Sequence, residues 1–235
     1  MELPKRLVKC PIIEALIELR FNAKPNIHNS LLIAELNLSL KKFSSQITEL
    51  PILEIPNSIR LNDPNLKYKP FYKLGCNGYI IQFGPDVISI NCVPQYLGWE
   101  KFSSIVSDVV KQIKGINLIN SFDRLGVRYI NFIEGDILDH TNISVNFANR
   151  SINNLHIRTE VKENVLTGVV QVLQNANYEN KQGTVIDIDV IFTNNETAFD
   201  FSKIYQNIED AHLFEKELFF SLLKNELIEQ LGAEY

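Results

Sequence analysis

The sequence has little of what staples or anchors a chain. Its three cysteines, Cys10, Cys76 and Cys92, are odd in number and lack C-x-x-C spacing. That excludes a disulfide framework or a zinc ribbon, and reduced, mostly buried thiols are expected. No apolar run approaches the roughly 20 residues needed to cross a bilayer. The opening MELPKRLVK is basic but has no apolar core and no cleavage site, so a cytoplasmic protein away from membranes is expected. Glycine is sparse at 10 residues, and none of the phosphate-cradling patterns G-x-x-x-x-G-K-[ST] or G-x-G-x-x-G occurs. A G-x-S-x-G nucleophile turn and an H-E-x-x-H pair are also missing. The histidines, at 28, 140, 156 and 212, stand apart, so a metal site would need ligands from distant segments. Neither metal nor cofactor is expected. Positive charge is in deficit too: a net charge of -5 gives no global attraction for nucleic acid, which is an unfavoured partner unless a local basic patch exists.

What is present is ordinary globular composition, 45% apolar and 22% charged over 235 residues, enough to bury a core without staples. In IIEALIELRF, Ile13, Ala15, Ile17, Leu19 and Phe21 alternate with mostly charged residues, as in a half-buried strand that serves as a structural spine. Ser30 is placed to cap a helix through about Gln46, with Leu32, Leu36, Leu40, Phe43 and Ile47 as its stripe. A short LEI strand and an exposed connection from Asn57 to Lys67 follow. Strands are then expected over Lys69–Cys76, Tyr79–Phe83 and Val87–Val93, joined by Asn77-Gly78 and Gly84-Pro85-Asp86. A helix from Trp99 to near Gly115 leads into a strand over Arg124–Ile133.

The acidic stretch Gly135–Asn142 suggests a boundary between a first lobe, 1–135, and a second, 136–235, although 1–235 as a single domain is the other possibility. Beyond it, strands are expected over Ile143–Phe147, Leu155–Lys162, Val165–Gln174 and Thr184–Thr193. A hairpin is expected around Glu163-Asn164, a loop over Asn175–Gly183, and a terminal helix from about Phe201 to Leu231. The expected class is α+β: a mostly antiparallel, meandering sheet in two packed sheet-plus-helix lobes with a long C-terminal helix.

The candidate residues fall into three groups. Asp187 and Asp189 share one face of the strand VIDIDVI, where they suit a metal or an acid/base pair, or else cross-strand pairing with Arg128 or Arg158. Arg20, Arg124, Arg128 and Arg158 occupy the charged faces of their strands, where they would grip a carboxylate or phosphate or neutralise Glu14, Glu18 and the aspartates. The third group is aromatic. Tyr96 and Trp99 stand on the bend PQYLGWE, suited to stacking on a ligand or to plugging the core. Tyr129 and Asn131 follow on the central strand. His212 lies near the stripe of the last helix, as a packing residue or a base with no nucleophile beside it.

PIIEALIELRF, VPQYLGWEKF, RLGVRYINFIE and DAHLFEKELF, in that order, resemble a family of sporadically distributed bacterial and archaeal proteins with a PPIxEAxxExRF-like start and an RxGxRYIN-like central strand. The matching residues are Pro11, Glu14, Arg20, Phe21, Tyr96, Gly98, Trp99, Arg124, Gly126, Arg128, Tyr129, Asn131, His212 and Phe214. The family has no established activity, so the resemblance supplies no catalytic residues. Its patchy distribution implies a mobile, defence-type or toxin-antitoxin setting. The expected function is a non-catalytic binding or interaction protein, an accessory or antitoxin-like subunit with a protein partner or a second copy of itself. Two alternatives stand beside it. One is a small-molecule or nucleotide-handling enzyme with a site of Trp99, Arg128, Tyr129 and the Asp187/Asp189 face; the other is a nucleic-acid-binding module.

Overall fold

The computed structural model describes residues 3–146, 148, 154–193 and 201–235. A two-residue strand, β1 (Arg6–Leu7), precedes β2 (Ile12–Ala23), α1 (Asn29–Leu40), β3 (Ile47–Glu49), a 3-10 turn over Pro51–Glu54 and the short α2 (Asn57–Asn62). β4 (Tyr72–Cys76), β5 (Tyr79–Phe83) and β6 (Val87–Cys92) form the expected meander, with Gly78 at φ 84° in the two-residue turn. α3 (Trp99–Ile116) leads to β7 (Ile119–Glu134) and the single turn α4 (Ile137–His140). A second meander, β8 (His156–Glu163), β9 (Leu166–Tyr178) and β10 (Lys181–Thr193), is followed by α5 (Ile204–Leu222), α6 (Asn225–Gln230) and β11 (Ala233–Glu234).

Nine strands make one antiparallel sheet in the order β3-β4-β5-β6-β2-β7-β10-β9-β8, and β1 pairs with β11 beside it. The class is α+β with a long helix near the C-terminus. Segments on either side of residue 135 share this sheet, because β7 and β10 pair without interruption from Glu134↔Gly183 to Arg124↔Thr193. β2 lies between β6 and β7 and is the spine that its alternation suggests.

Alternation separates the two faces of the sheet. Ala15, Ile17, Leu19 and Phe21 of β2 share the buried face with Leu125, Val127 and Tyr129 of β7 and with Ile186, Ile188 and Val190 of β10. The helices close over that face. α3 contributes Phe102, Val106, Val109, Val110 and Ile113, and α1 contributes Leu32, Leu36 and Leu40, to one continuous core. α5 lies on β7, β9 and β10 through Ile204, Ile208, Ala211 and Phe214. Each of these large buried side chains contributes about 2 kcal/mol, an upper figure relative to a fully solvated chain.

Several boundaries differ from the sequence-based expectation, each for a physical reason. α1 starts at Asn29 and stops at Leu40; His28 takes the N-cap position, and Ser30 Oγ lies 3.2 Å from its Nδ1. Pro51 opens a 3-10 turn where LEI suggested a strand, since its fixed φ suits a first helical position, and α2 forms within the expected connection. α3 runs through Gly115, and Asn117 takes the left-handed cap at φ 56°. Residues 143–146 form no strand, and Phe147 lies outside the described residues. The expected loop at 175–183 is a continued hairpin turning at Glu179-Asn180, both at positive φ. The terminal helix breaks at Leu223, which is buried and extended. There Asn142 Nδ2 donates to the carbonyls of Ser221 and Leu223, satisfying the helix end from outside.

Candidate functional site

β7 sorts the candidate residues by its pleat. Arg124 and Arg128 point to the open face of the sheet, and Tyr129 and Asn131 point under the helices. The site of Trp99, Tyr129, Arg128 and the two aspartates is therefore not assembled: its members stand on opposite sides of one strand.

On the open face the charges satisfy each other. Arg128 holds Asp187 with two N–H donors at 2.7 Å each, and Gln171 donates to the same carboxylate at 3.3 Å. Arg124 bridges three strands, donating to Glu18 at 2.6 Å and to Asp189 at 2.8 Å. Gly126 makes that span possible, because a Cβ there would lie 2.9 Å from the Arg124 guanidinium. Arg20 donates to Glu18 at 2.8 Å, and Asn91 donates to Glu14 at 2.9 Å. Arg158 pairs with Glu160 on the outermost strand, away from the aspartates. Burial pushes the Asp189 carboxyl up against the opposing pull of Arg124 and Arg128, and the hydrogen bonds to Asp187 raise Arg128 further. These four arginines are thus occupied by carboxylates, and among the described residues no group of three or more His, Cys, Asp or Glu is arranged to hold a metal.

The other five candidates converge. Tyr96, Trp99, Tyr129, Asn131 and His212 line one cavity of about 270 Å³ between the N-terminal segment, the bend after β6, the end of β7 and α5. Trp99 stacks on His212, with ring centroids 3.6 Å apart and planes within 13°, and its indole N–H donates to Glu209 at 3.1 Å. Tyr96 and Tyr129 lie edge to face with hydroxyls 3.3 Å apart, and the Tyr129 hydroxyl is 3.2 Å from His212 Nδ1. One arrangement satisfies all three groups: Tyr96 donates to Tyr129, and Tyr129 donates to a neutral His212 protonated on Nε2. Burial, with Lys216 nearby, depresses His212 to about 3, and burial raises both tyrosines, so the row is uncharged at neutral pH.

Two acceptors in this cavity are left over. Glu215 is only 4% exposed, and no described residue donates to its carboxyl. Burial raises it well above the usual carboxylate range, with Lys216 opposing weakly. Asn131 is 1% exposed; its Nδ2 reaches the Ile186 carbonyl at 3.4 Å, and its Oδ1 has no partner among the described residues. A buried polar group without a partner costs about 1–3 kcal/mol, so a donor that reaches Glu215 is favoured there, whereas the fully covered Asn131 oxygen has no surface to offer one. Phe219 and Phe220 supply apolar wall, and Cys10, exposed, stands at the rim.

A wider groove of about 990 Å³ lies between α1 and α2, where Arg60 stacks over Phe71. Arg60 Nε and Nη1 are buried there without a hydrogen-bond partner among the described residues.

Glu215 is the residue that sequence reasoning missed, although a signal was present. In DAHLFEKELFF it falls three residues after His212 and four before Phe219, on the buried stripe and not on the charged face. The chain matches no family model and none of the curated proteins with which it was compared. Among the described residues, no helix is long and apolar enough to cross a membrane.

Proposed function

We propose that this is a non-catalytic binding protein whose small ligand occupies the cavity between the aromatic bend and α5. The observation that carries this reading is the Glu215 carboxyl, buried and without a described donor, among the aromatic side chains of a cavity. His212 is held neutral, and its Nδ1 is engaged by the Tyr129 hydroxyl and not by a serine or cysteine. Recognition, more than bond-making, suits such a site. An accessory subunit of a mobile defence-type locus is the setting that the resemblance of the four motifs supplies for a binder of this kind.

The test is a thermal-shift screen of small amines, alcohols and carboxylic acids on the wild type and on Cys10→Phe, which narrows the rim from an exposed position. Ligands that raise the Tm of the wild type and lose that effect in Cys10→Phe support the reading. A wild type that responds to none of them contradicts it.

A further inference from the structure

The unpaired Glu215 carboxyl restricts what fills the cavity, and the restriction rests on the binding role proposed above. We infer that the occupant is a small organic amine, protonated in solution, whose ammonium group is held by Glu215 while its hydrocarbon part lies against Tyr96, Trp99 and Phe219.

The chemistry favours this class over its neighbours. An ammonium group brings three donors, a positive charge and no acceptor, the complement of a carboxyl to which no described residue donates. Aromatic faces attract a cation at the same place, adding about 0.5–2 kcal/mol where water is excluded. A carboxylate or phosphate could accept only the single proton of a neutral Glu215 and would set its charge against the aromatic faces. The cationic groups of the lining do not reverse this preference. Arg6 is paired with Glu234, Lys5 is exposed, and Lys216 is only partly buried, so solvent screens them. A neutral alcohol would hydrogen-bond to Glu215 but bring no charge for the carboxyl or the aromatic faces to attract.

Binding also moves a proton. Burial raises the Glu215 carboxyl and so favours its protonated form. An arriving ammonium favours the carboxylate, so Glu215 ionises, its proton leaves to solvent, and an ammonium–carboxylate pair remains. The groups facing it are Tyr96, Tyr129, His212, Cys10, Lys5, Arg6 and Lys216. Both tyrosines and Cys10 are raised, and His212 is already neutral, which leaves Lys216, itself lowered by burial, as the competing proton source.

The experiment is isothermal titration calorimetry at neutral pH with n-pentylamine, n-pentanol and pentanoate, in two buffers of different ionisation enthalpy, on the wild type and Glu215→Gln. The wild type is expected to bind pentylamine at least about tenfold tighter than the other two and to release about one proton. In Glu215→Gln the amine preference and the proton release are lost while pentanol binds as before. Equal affinity for pentylamine and pentanol, tighter binding of pentanoate, or proton release that persists in Glu215→Gln would overturn the amine assignment and leave the cavity a binding site. No heat with any of the three would overturn the assignment and the binding role together.

Discussion

Glu215 and His212 lie three residues apart on α5, and burial pushes both toward their neutral forms, with opposite consequences for pH. The folded-state pKa of Glu215 is raised, so its effect on stability is least adverse below its unfolded value of 4.5 and grows as pH rises toward the folded value. His212 is depressed from 6.5 to about 3, so its cost grows as pH falls from 6.5 toward 3. Each group contributes a slope of about 1.4 kcal/mol per pH unit within its own window. Where the two windows overlap the slopes oppose each other, and below 4.5 His212 acts alone. Glu215→Gln should therefore be more stable than the wild type at pH 8, with a smaller advantage as pH falls toward 4.5, as read from Tm against pH. An advantage that does not change with pH would place the Glu215 carboxyl in contact with water. Tyr129 and Asn131 were legible in RLGVRYINFIE because strict alternation separates them from Arg124 and Arg128. Glu215 was not, because helical polar residues are presumed solvated unless a tertiary neighbour covers them, and the cover comes from β7 and the bend after β6.

Among the elements, β7 and β10 carry the fold, and a close approach at one end of their ladder is specific to glycine. A Cβ on Gly183 would lie 2.3 Å from the Ile133 carbonyl oxygen, at a register shift in the β9–β10 pairing. Backbone cannot yield as a side-chain tip can, so Gly183→Ala should cost about 2–3 kcal/mol in denaturant unfolding. A loss below half a kcal/mol would contradict this tight approach. On the open face, Arg128→Ala removes two donors from Asp187, whose side chain is 9% exposed, and leaves it the longer bond from Gln171, while Arg128 itself is 37% exposed. The expected loss is about 2 kcal/mol, between the values for surface and buried pairs, and Arg128→Ala together with Asp187→Ala should recover part of it. These elements were readable where one period ran unbroken, as in β2, the stripe of α3 and the Asn77-Gly78 hairpin. They were misread where tertiary pairing overrides local polarity. The polar run Asn175–Gly183 looks like a loop alone, yet it continues the β9–β10 ladder past the end of β7, because Glu179 and Asn180 take the positive φ of a tight turn. The break at Leu223 is likewise invisible locally, since its cap is Asn142, about eighty residues earlier in the chain.

At the scale of the molecule, one sheet has two unlike faces. The open face is an internally neutralised lattice of acids and arginines, and the covered face holds a core that opens into a cavity at its edge. Charge on the first face is held in structural pairs, whereas the Glu215 carboxyl beneath the helices has no described donor, which is why binding is assigned there. A ligand at a hundred times its Kd should stabilise the whole chain by about 2.7 kcal/mol, and its effect should not depend on Arg20, Arg124 or Arg128. Trp99 is the single tryptophan and forms a wall of the cavity, so its emission reports directly on the site. The most direct measurement is a titration of wild-type protein with n-pentylamine and n-pentanol followed by Trp99 fluorescence, repeated on Cys10→Phe. The account predicts a saturable change in the wild type that is weakened or abolished in Cys10→Phe; emission that stays constant with both compounds, or that changes equally in the two proteins, would contradict it.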